Sequence, residues 1–273
     1  MMRRIALVNL KGGVGKTVTA VALAVGLARR GHKTLLVDSD PSGNASWTIS
    51  GGQSADGPTL AHVLTRESSA DEAIRLTSTP GLDLLPSDST LAGVGVRLAQ
   101  ELSRDTRLRS ALDGIEGRYD FVIVDTGPTF STLLANVLVF SHEIIVPIDS
   151  GVYAVLGLVQ LQETIQEVRE AYGNQSLRLA GLVLTKVQKS NVARDVETEL
   201  RTRYGSLVFK TVIPHSAKVE EAVSRGASVV DFAPKSAPAV AYGELVTEVI
   251  EHGGTKERSR SKVVGRPRKG DAA

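Results

Sequence analysis

Lys11-Gly12-Gly13-Val14-Gly15-Lys16-Thr17 decides how this chain is built. An apolar run, Ile5–Leu10, precedes it, and a helical period follows in which Val18, Val21, Ala22 and Val25 recur until Gly31 stops the helix near Arg30. A strand, a glycine loop and a helix in that order form the context of a phosphate cradle. Glycines let successive backbone N–H groups converge on a phosphate. Lys16 adds a point charge at the outer phosphate oxygens, and the Thr17 hydroxyl can ligate Mg²⁺.

Outward from the loop, strand-length apolar runs alternate with helical segments, which predicts a mostly parallel α/β sheet flanked by helices on both faces. Strands are expected at Ile5–Leu10, Thr34–Asp38, Leu82–Pro86, Phe121–Asp125, Glu143–Ile148, Ala180–Thr185 and Val208–Ile213. Helices are expected at Lys16–Arg30, Ser131–Phe140, Val155–Tyr172, Val192–Tyr204, Ala217–Arg225 and Pro238–His252, with a surface loop over Ser50–Pro58. The 273 residues, 42% apolar, suffice for one large core, taken as residues 1–252. Gly253–Ala273 has almost no large apolar group and reads as a disordered tail.

The chain has no cysteine, which excludes disulfides, thiolate metal sites and a thiol nucleophile. No run reaches the roughly 20 apolar residues of a membrane span, so a soluble cytoplasmic protein is expected. Charge is unevenly spread. Residues 255–273 hold seven basic and two acidic groups, leaving 25 basic against 28 acidic residues elsewhere. That split reads as an acidic body with a polyanion-binding arm.

Two further segments bear carboxylates at strand ends. Leu35-Leu36-Val37-Asp38-Ser39-Asp40-Pro41 places Asp38 and Asp40 two residues apart, pointing the same way toward the crevice where open α/β sheets bind ligands. Tyr119-Asp120-Phe121-Val122-Ile123-Val124-Asp125 is an apolar strand closed by Asp125. A third feature is the second lysine, Lys11, for which an ordinary phosphate loop has no need.

On these motifs the chain resembles the ParA/MinD family of deviant Walker-type P-loop ATPases over about residues 3–250, nearest to short, Soj-like ParA proteins without an N-terminal helix-turn-helix. The resemblance implies ATP and Mg²⁺ as cofactors. ATP would be bound by Lys11, Gly12, Gly13, Val14, Gly15, Lys16, Thr17, Val18 and Pro214, the last from Ile213-Pro214-His215-Ser216, which is similar to the segment that closes over adenine. Lys11, Lys16 and Asp40 would carry catalysis, with Lys11 crossing the interface of an ATP-sandwich homodimer and Asp40 positioning the attacking water. Thr17, Asp38 and Asp125 would surround the metal, the carboxylates through water. Three positions depart from the family pattern. Val18 stands where Ser or Thr is usual, which predicts weaker nucleotide affinity; Ser42 replaces Gln, and Gly127-Pro128 replaces Pro-Pro.

The absence of cysteines argues against the iron–sulfur relatives. The absence of an amphipathic C-terminal helix argues against membrane-bound MinD, and the tyrosine-free tail against the tyrosine kinases. Of these relatives the ParA-type partition ATPases remain, and that resemblance implies a chromosome or plasmid partition ATPase, nucleoid-associated, that would bind DNA non-specifically as the ATP dimer and be released when a ParB-like partner stimulates hydrolysis. Lys186, Lys189, Arg194, Lys218 and Arg225 are the body's candidate DNA cations. In the tail, Gly265-Arg266-Pro267-Arg268-Lys269 is similar to an AT-hook core, although Val264 replaces its usual arginine; a generic basic tail fits Arg266, Arg268 and Lys269 equally. Seven tail cations meeting phosphates would add about −6 to the slope of log K against log salt. The rival reading is a ParA-like adaptor, switched by nucleotide, that positions a protein cargo.

Overall fold

A computed structural model describes residues 2–54, 56–149 and 156–254. In chain order the elements are β1 (Arg3–Leu7), α1 (Lys16–Ala28), β2 (Thr34–Ser39), α2 (Asn44–Ile49), α3 (Leu60–Thr65), α4 (Ala70–Ala73), β3 (Arg75–Leu76), β4 (Leu82–Leu85), α5 (Leu91–Leu98) and α6 (Arg107–Ala111). They continue with β5 (Phe121–Thr126), α7 (Thr132–Phe140), β6 (Glu143–Asp149), α8 (Leu156–Tyr172), β7 (Arg178–Val187), α9 (Asn191–Tyr204), β8 (Val208–Pro214), α10 (Ala217–Ser224), α11 (Val229–Phe232) and α12 (Ala237–Gly254). The strands form one sheet in the order β3-β4-β2-β5-β1-β6-β7-β8, parallel except for the antiparallel β3–β4 edge.

The sheet is buried on both faces, and alternate residues of one strand serve different cores. Ala6 and Val8 join the core under α3 and α5–α9, whereas Ile5 and Leu7 join the core under α1 and α10–α12. Helix α1 is buried along nearly its whole length, because α12 covers the side turned away from the sheet. The β8 edge is blunted by Glu248 of α12, whose carboxylate accepts from the backbone N–H of Lys210 and Thr211, each at 2.8 Å. At the N-terminal ends of the strands, Glu143 is buried against the guanidinium groups of Arg3 (2.8 Å) and Arg178 (3.4 Å).

All seven expected strands are present, with shifted ends. β1 stops at Leu7 because Val8 to Leu10 turn into the phosphate loop, although the Val8 N–H still donates to Ile145 O at 3.1 Å. The two-residue edge strand β3 and the short helices α2–α6 and α11 were not anticipated, since four to eight residues are too few for a hydrophobic period to register. Helix α2 borders the stretch expected as a loop. Among the described residues no helix is long and apolar enough to cross a membrane. The tail residues Arg266, Arg268 and Lys269 lie outside the described residues.

Candidate functional site

The C-terminal ends of β1, β2, β5, β7 and β8 surround a cavity of about 630 Å³. Its floor is the loop between β1 and α1. Gly13 and Gly15 have φ of +74° and +87°, backbone that a side chain would strain, and Gly15 stands at the N-cap of α1 without any side-chain cap. The first N–H groups of α1 therefore remain available to an anion.

The loop is held from neighbouring strands. The Thr185 hydroxyl at the end of β7 donates to Val14 O at 2.7 Å, and the Asn9 amide donates to Pro147 O at 2.8 Å. Asn9 in turn accepts the Lys11 N–H at 2.9 Å. Gly12, Gly13, Gly15, Lys16, Thr17, Val18 and Pro214 line the cavity, whereas Val14 is buried beneath it. Lys16 is itself buried, its ammonium donating to Lys11 O at 3.2 Å. Burial lowers its pKa, and the negative charges of Asp125 and Asp40 oppose that shift. The Lys11 side chain does not reach into its own cavity; its ammonium pairs with Asp149 at the end of β6, at 2.6 Å.

The three carboxylates part company. Asp38 and Asp125 are register partners on β2 and β5, and both are fully buried. Asp38 accepts from the Ser46 N–H (2.8 Å), the Ser46 hydroxyl (2.7 Å) and the Asp40 N–H (3.1 Å). Its oxygens thus hold the segment from Asp40 to α2 and do not line the cavity. Burial pushes its carboxyl up to about 6, although those hydrogen bonds pull the other way. Asp125 has two buried oxygens with no hydrogen-bond partner. Burial, then the neighbouring Asp38, holds its carboxyl well above the usual carboxylate range, while the nearby Thr17 hydroxyl and Lys16 ammonium ease it. Asp40 lines the cavity, accepts the Ser42 N–H at 2.9 Å, and lies against Gly127, where an added Cβ would sit 3.5 Å from its carboxylate.

A divalent cation fits this donor set. An orphaned, buried carboxylate beside a hydroxyl and an ammonium is costly alone and is eased by a cation. Asp125 and Thr17 would be the residues to hold it. Asp38 contributes from behind, by fixing Asp40.

The expected DNA cations separate. Lys186 lines the nucleotide-sized cavity itself. Lys189 and Arg194 flank a second cleft, of about 420 Å³, at the start of α9. Lys218 pairs with Glu221 at 2.6 Å, and the Arg225 guanidinium lies 5.0 Å from the centre of the Phe232 ring. Sequence reading missed Thr185, Asn9, Asp149 and Ser46; the first three are polar at or beside a strand end and Ser46 lies in α2, but only the fold pairs each with its partner.

Comparison with known proteins agrees with this geometry. A family model described as an AAA domain matches residues 2–179. The chromosome partitioning protein ParA of Caulobacter vibrioides is 38% identical over 262 residues, which cover 95% of this chain and 96% of that protein. The chromosome-partitioning ATPase Soj of Thermus thermophilus is 41% identical, over 91% of this chain and 96% of its own. Among solved structures, cobyrinic acid a,c-diamide synthase of Mycobacterium smegmatis with bound ADP and magnesium superposes with a TM-score of 0.80 at 30% identity, covering 93% of this chain and 96% of that one. Likeness on this scale, running through the loop and both carboxylate-bearing strands to the C-terminal helices, places the chain in the ParA/Soj family of P-loop ATPases.

Proposed function

We propose that this chain is a partition ATPase whose ATP-bound form is a homodimer that holds DNA non-specifically and releases it when a ParB-like partner accelerates hydrolysis. The carrying observation is the convergence of the glycine loop, Lys16, Thr17 and Asp40 on one cavity, with Asp125 buried beside Lys16 and Thr17. Names and solved complexes of the relatives support ATP hydrolysis with Mg²⁺.

Backbone N–H groups from Gly13 to Thr17 and the Lys16 ammonium bind the β- and γ-phosphates. Mg²⁺, when bound, neutralises charge on the phosphate oxygens. Thr17 and Asp125 would hold it there. Asp40 accepts a hydrogen bond from a water in reach of the γ-phosphate and orients it for in-line attack, while Asp38 accepts the Asp40 N–H and holds that residue in place. Lys11 would stabilise charge on the partner copy's transferring phosphate, as an arginine finger does, for a rate gain of about 10³–10⁵. To do so it must leave Asp149. The Lys11–Asp149 pair therefore belongs to the single chain and opposes dimerisation.

Lys189 and Arg194, with the tail cations Arg266, Arg268 and Lys269, are the DNA surface in this reading; Lys218 and Arg225 add charge despite their internal contacts. Phosphate contact is collective, so single changes weaken it modestly.

Light scattering on the full chain tests the dimer. With ATP and Mg²⁺, Asp40→Ala accumulates a stable dimer, Lys11→Ala stays monomeric, and Asp149→Ala dimerises at lower protein concentration than the unaltered chain. A Lys11→Ala variant that dimerises and hydrolyses normally would refute the role across the interface. A nucleotide-driven dimer that ignores DNA would shift the reading to a cargo adaptor.

A further inference from the structure

The strand end carrying Lys186 is strained in a way that the fold does not demand. Among the described residues two non-glycine residues have positive φ, Arg66 at +65° and Lys186 at +52°. Arg66 is the C-cap of α3, where a left-handed residue is an ordinary way to end a helix. Lys186 ends no helix. It lies within β7, where the register with β8 shifts between Leu184 and Val187. A bulge with a left-handed residue is normally glycine's position, so a lysine there carries a standing conformational cost.

That irregularity puts Lys186 on the wall of the nucleotide cavity. Its neighbour Thr185 anchors the phosphate loop, and its other neighbour, Val187, is in register with Pro214 and accepts the His215 N–H at 3.0 Å. Lys186 thus stands between the phosphate end and the segment Ile213–Ser216 that borders the cavity's other end. Its side chain is exposed, and among the described residues its ammonium makes no ion pair or hydrogen bond. An exposed lysine needs no explanation; one held in a strained conformation on a cavity wall does.

We propose that Lys186 binds the nucleoside end of the nucleotide, its aliphatic stem lying against the purine and its ammonium donating to acceptors of the purine or ribose. This rests on the reading of the cavity as an ATP site. It removes Lys186 from the DNA surface and makes it a nucleotide-affinity residue that serves ATP and ADP alike, because both carry the same nucleoside.

The test uses the full chain and its Lys186→Gly and Lys186→Arg variants. Thermal midpoints are measured without nucleotide, affinities for ADP and a non-hydrolysable ATP analogue by calorimetry, and DNA binding at saturating nucleotide. Glycine relieves the strain, so Lys186→Gly should melt higher than the unaltered chain yet bind both nucleotides about tenfold more weakly. Lys186→Arg should recover most of the affinity, and DNA binding at saturation should match the unaltered chain in all three. Undiminished nucleotide affinity in Lys186→Gly would overturn the proposal, as would a loss confined to the ATP analogue or weaker DNA binding at saturating nucleotide. If the unaltered chain bound neither nucleotide, the ATP-site reading itself would fail, a distinct result.

Discussion

The ends of β2 and β5 lie side by side, and each presents a buried aspartate in register with the other, yet the two ends do opposite things. At β2, Asp38 is surrounded by donors from Ser46 and Asp40 and is spent on holding a loop. At β5, Asp125 lacks such a set of donors: the Thr17 hydroxyl and the Lys16 ammonium are its polar neighbours, which leaves acceptor capacity for an incoming cation. The same residue type, at the same depth, on neighbouring strands, is ringed by protein donors in one case and not in the other. Partner geometry, not burial or residue identity, makes that difference.

Removing each aspartate in turn breaks the comparison most directly. Asp125→Asn should lower Mg²⁺-dependent hydrolysis by roughly 10²-fold or more, since it removes the charge offered to the metal. The same variant should be no less stable without nucleotide, because it also removes a buried charge facing Asp38; chemical denaturation beside a turnover assay checks both. Asp38→Ala should invert this pattern. It leaves the buried Ser46 and Asp40 N–H groups without their acceptor and should cost about 2–4 kcal/mol of stability, with hydrolysis falling because Asp40 is no longer fixed.

A third buried carboxylate, Glu143 at the opposite end of the sheet, sharpens the contrast by showing what ion pairing does. Burial alone would raise its pKa, but the Arg3 fork and the charge of Arg178 outweigh burial and hold it below the usual carboxylate range. A depressed folded pKa gives stability that is full above the unfolded value of 4.5 and is lost as pH falls through the folded value. Glu143→Gln should therefore cost about 1–3 kcal/mol at neutral pH, and its deficit should shrink in acid below about pH 4.5. A deficit independent of pH would contradict the ion-pair account.

Legibility in the sequence divides along the same line. The phosphate loop and Lys11 were readable because a strand, a turn and the start of a helix lie within a few residues of one another, whereas Asp40 and Asp125, at the ends of two other strands, drew their assigned roles from the family resemblance. The parallel sheet was readable because both-faced burial leaves apolar strand runs. What could not be read were partners brought together by folding: Lys11 finds Asp149 at a separation of 138 residues, and Thr185 finds Val14 at 171. The family resemblance assigns Asp38 to the metal's water shell; that Ser46, eight residues on, donates to it depends on α2, too short to leave a period. Lys186 shows the same limit. As one of a run of basic residues it counted toward DNA, and only its backbone conformation and its place on the cavity wall set it apart.

The central claim, an ATP-switched hold on DNA, is tested most directly by binding of the full chain to a non-specific duplex with ATP and Mg²⁺ against ADP and Mg²⁺, across a salt series. The account predicts much tighter binding with ATP, abolished by Lys11→Ala, and a steep loss of affinity as salt rises. Equal binding with the two nucleotides, unaffected by Lys11→Ala, would contradict it and leave the basic tail as a simple tether.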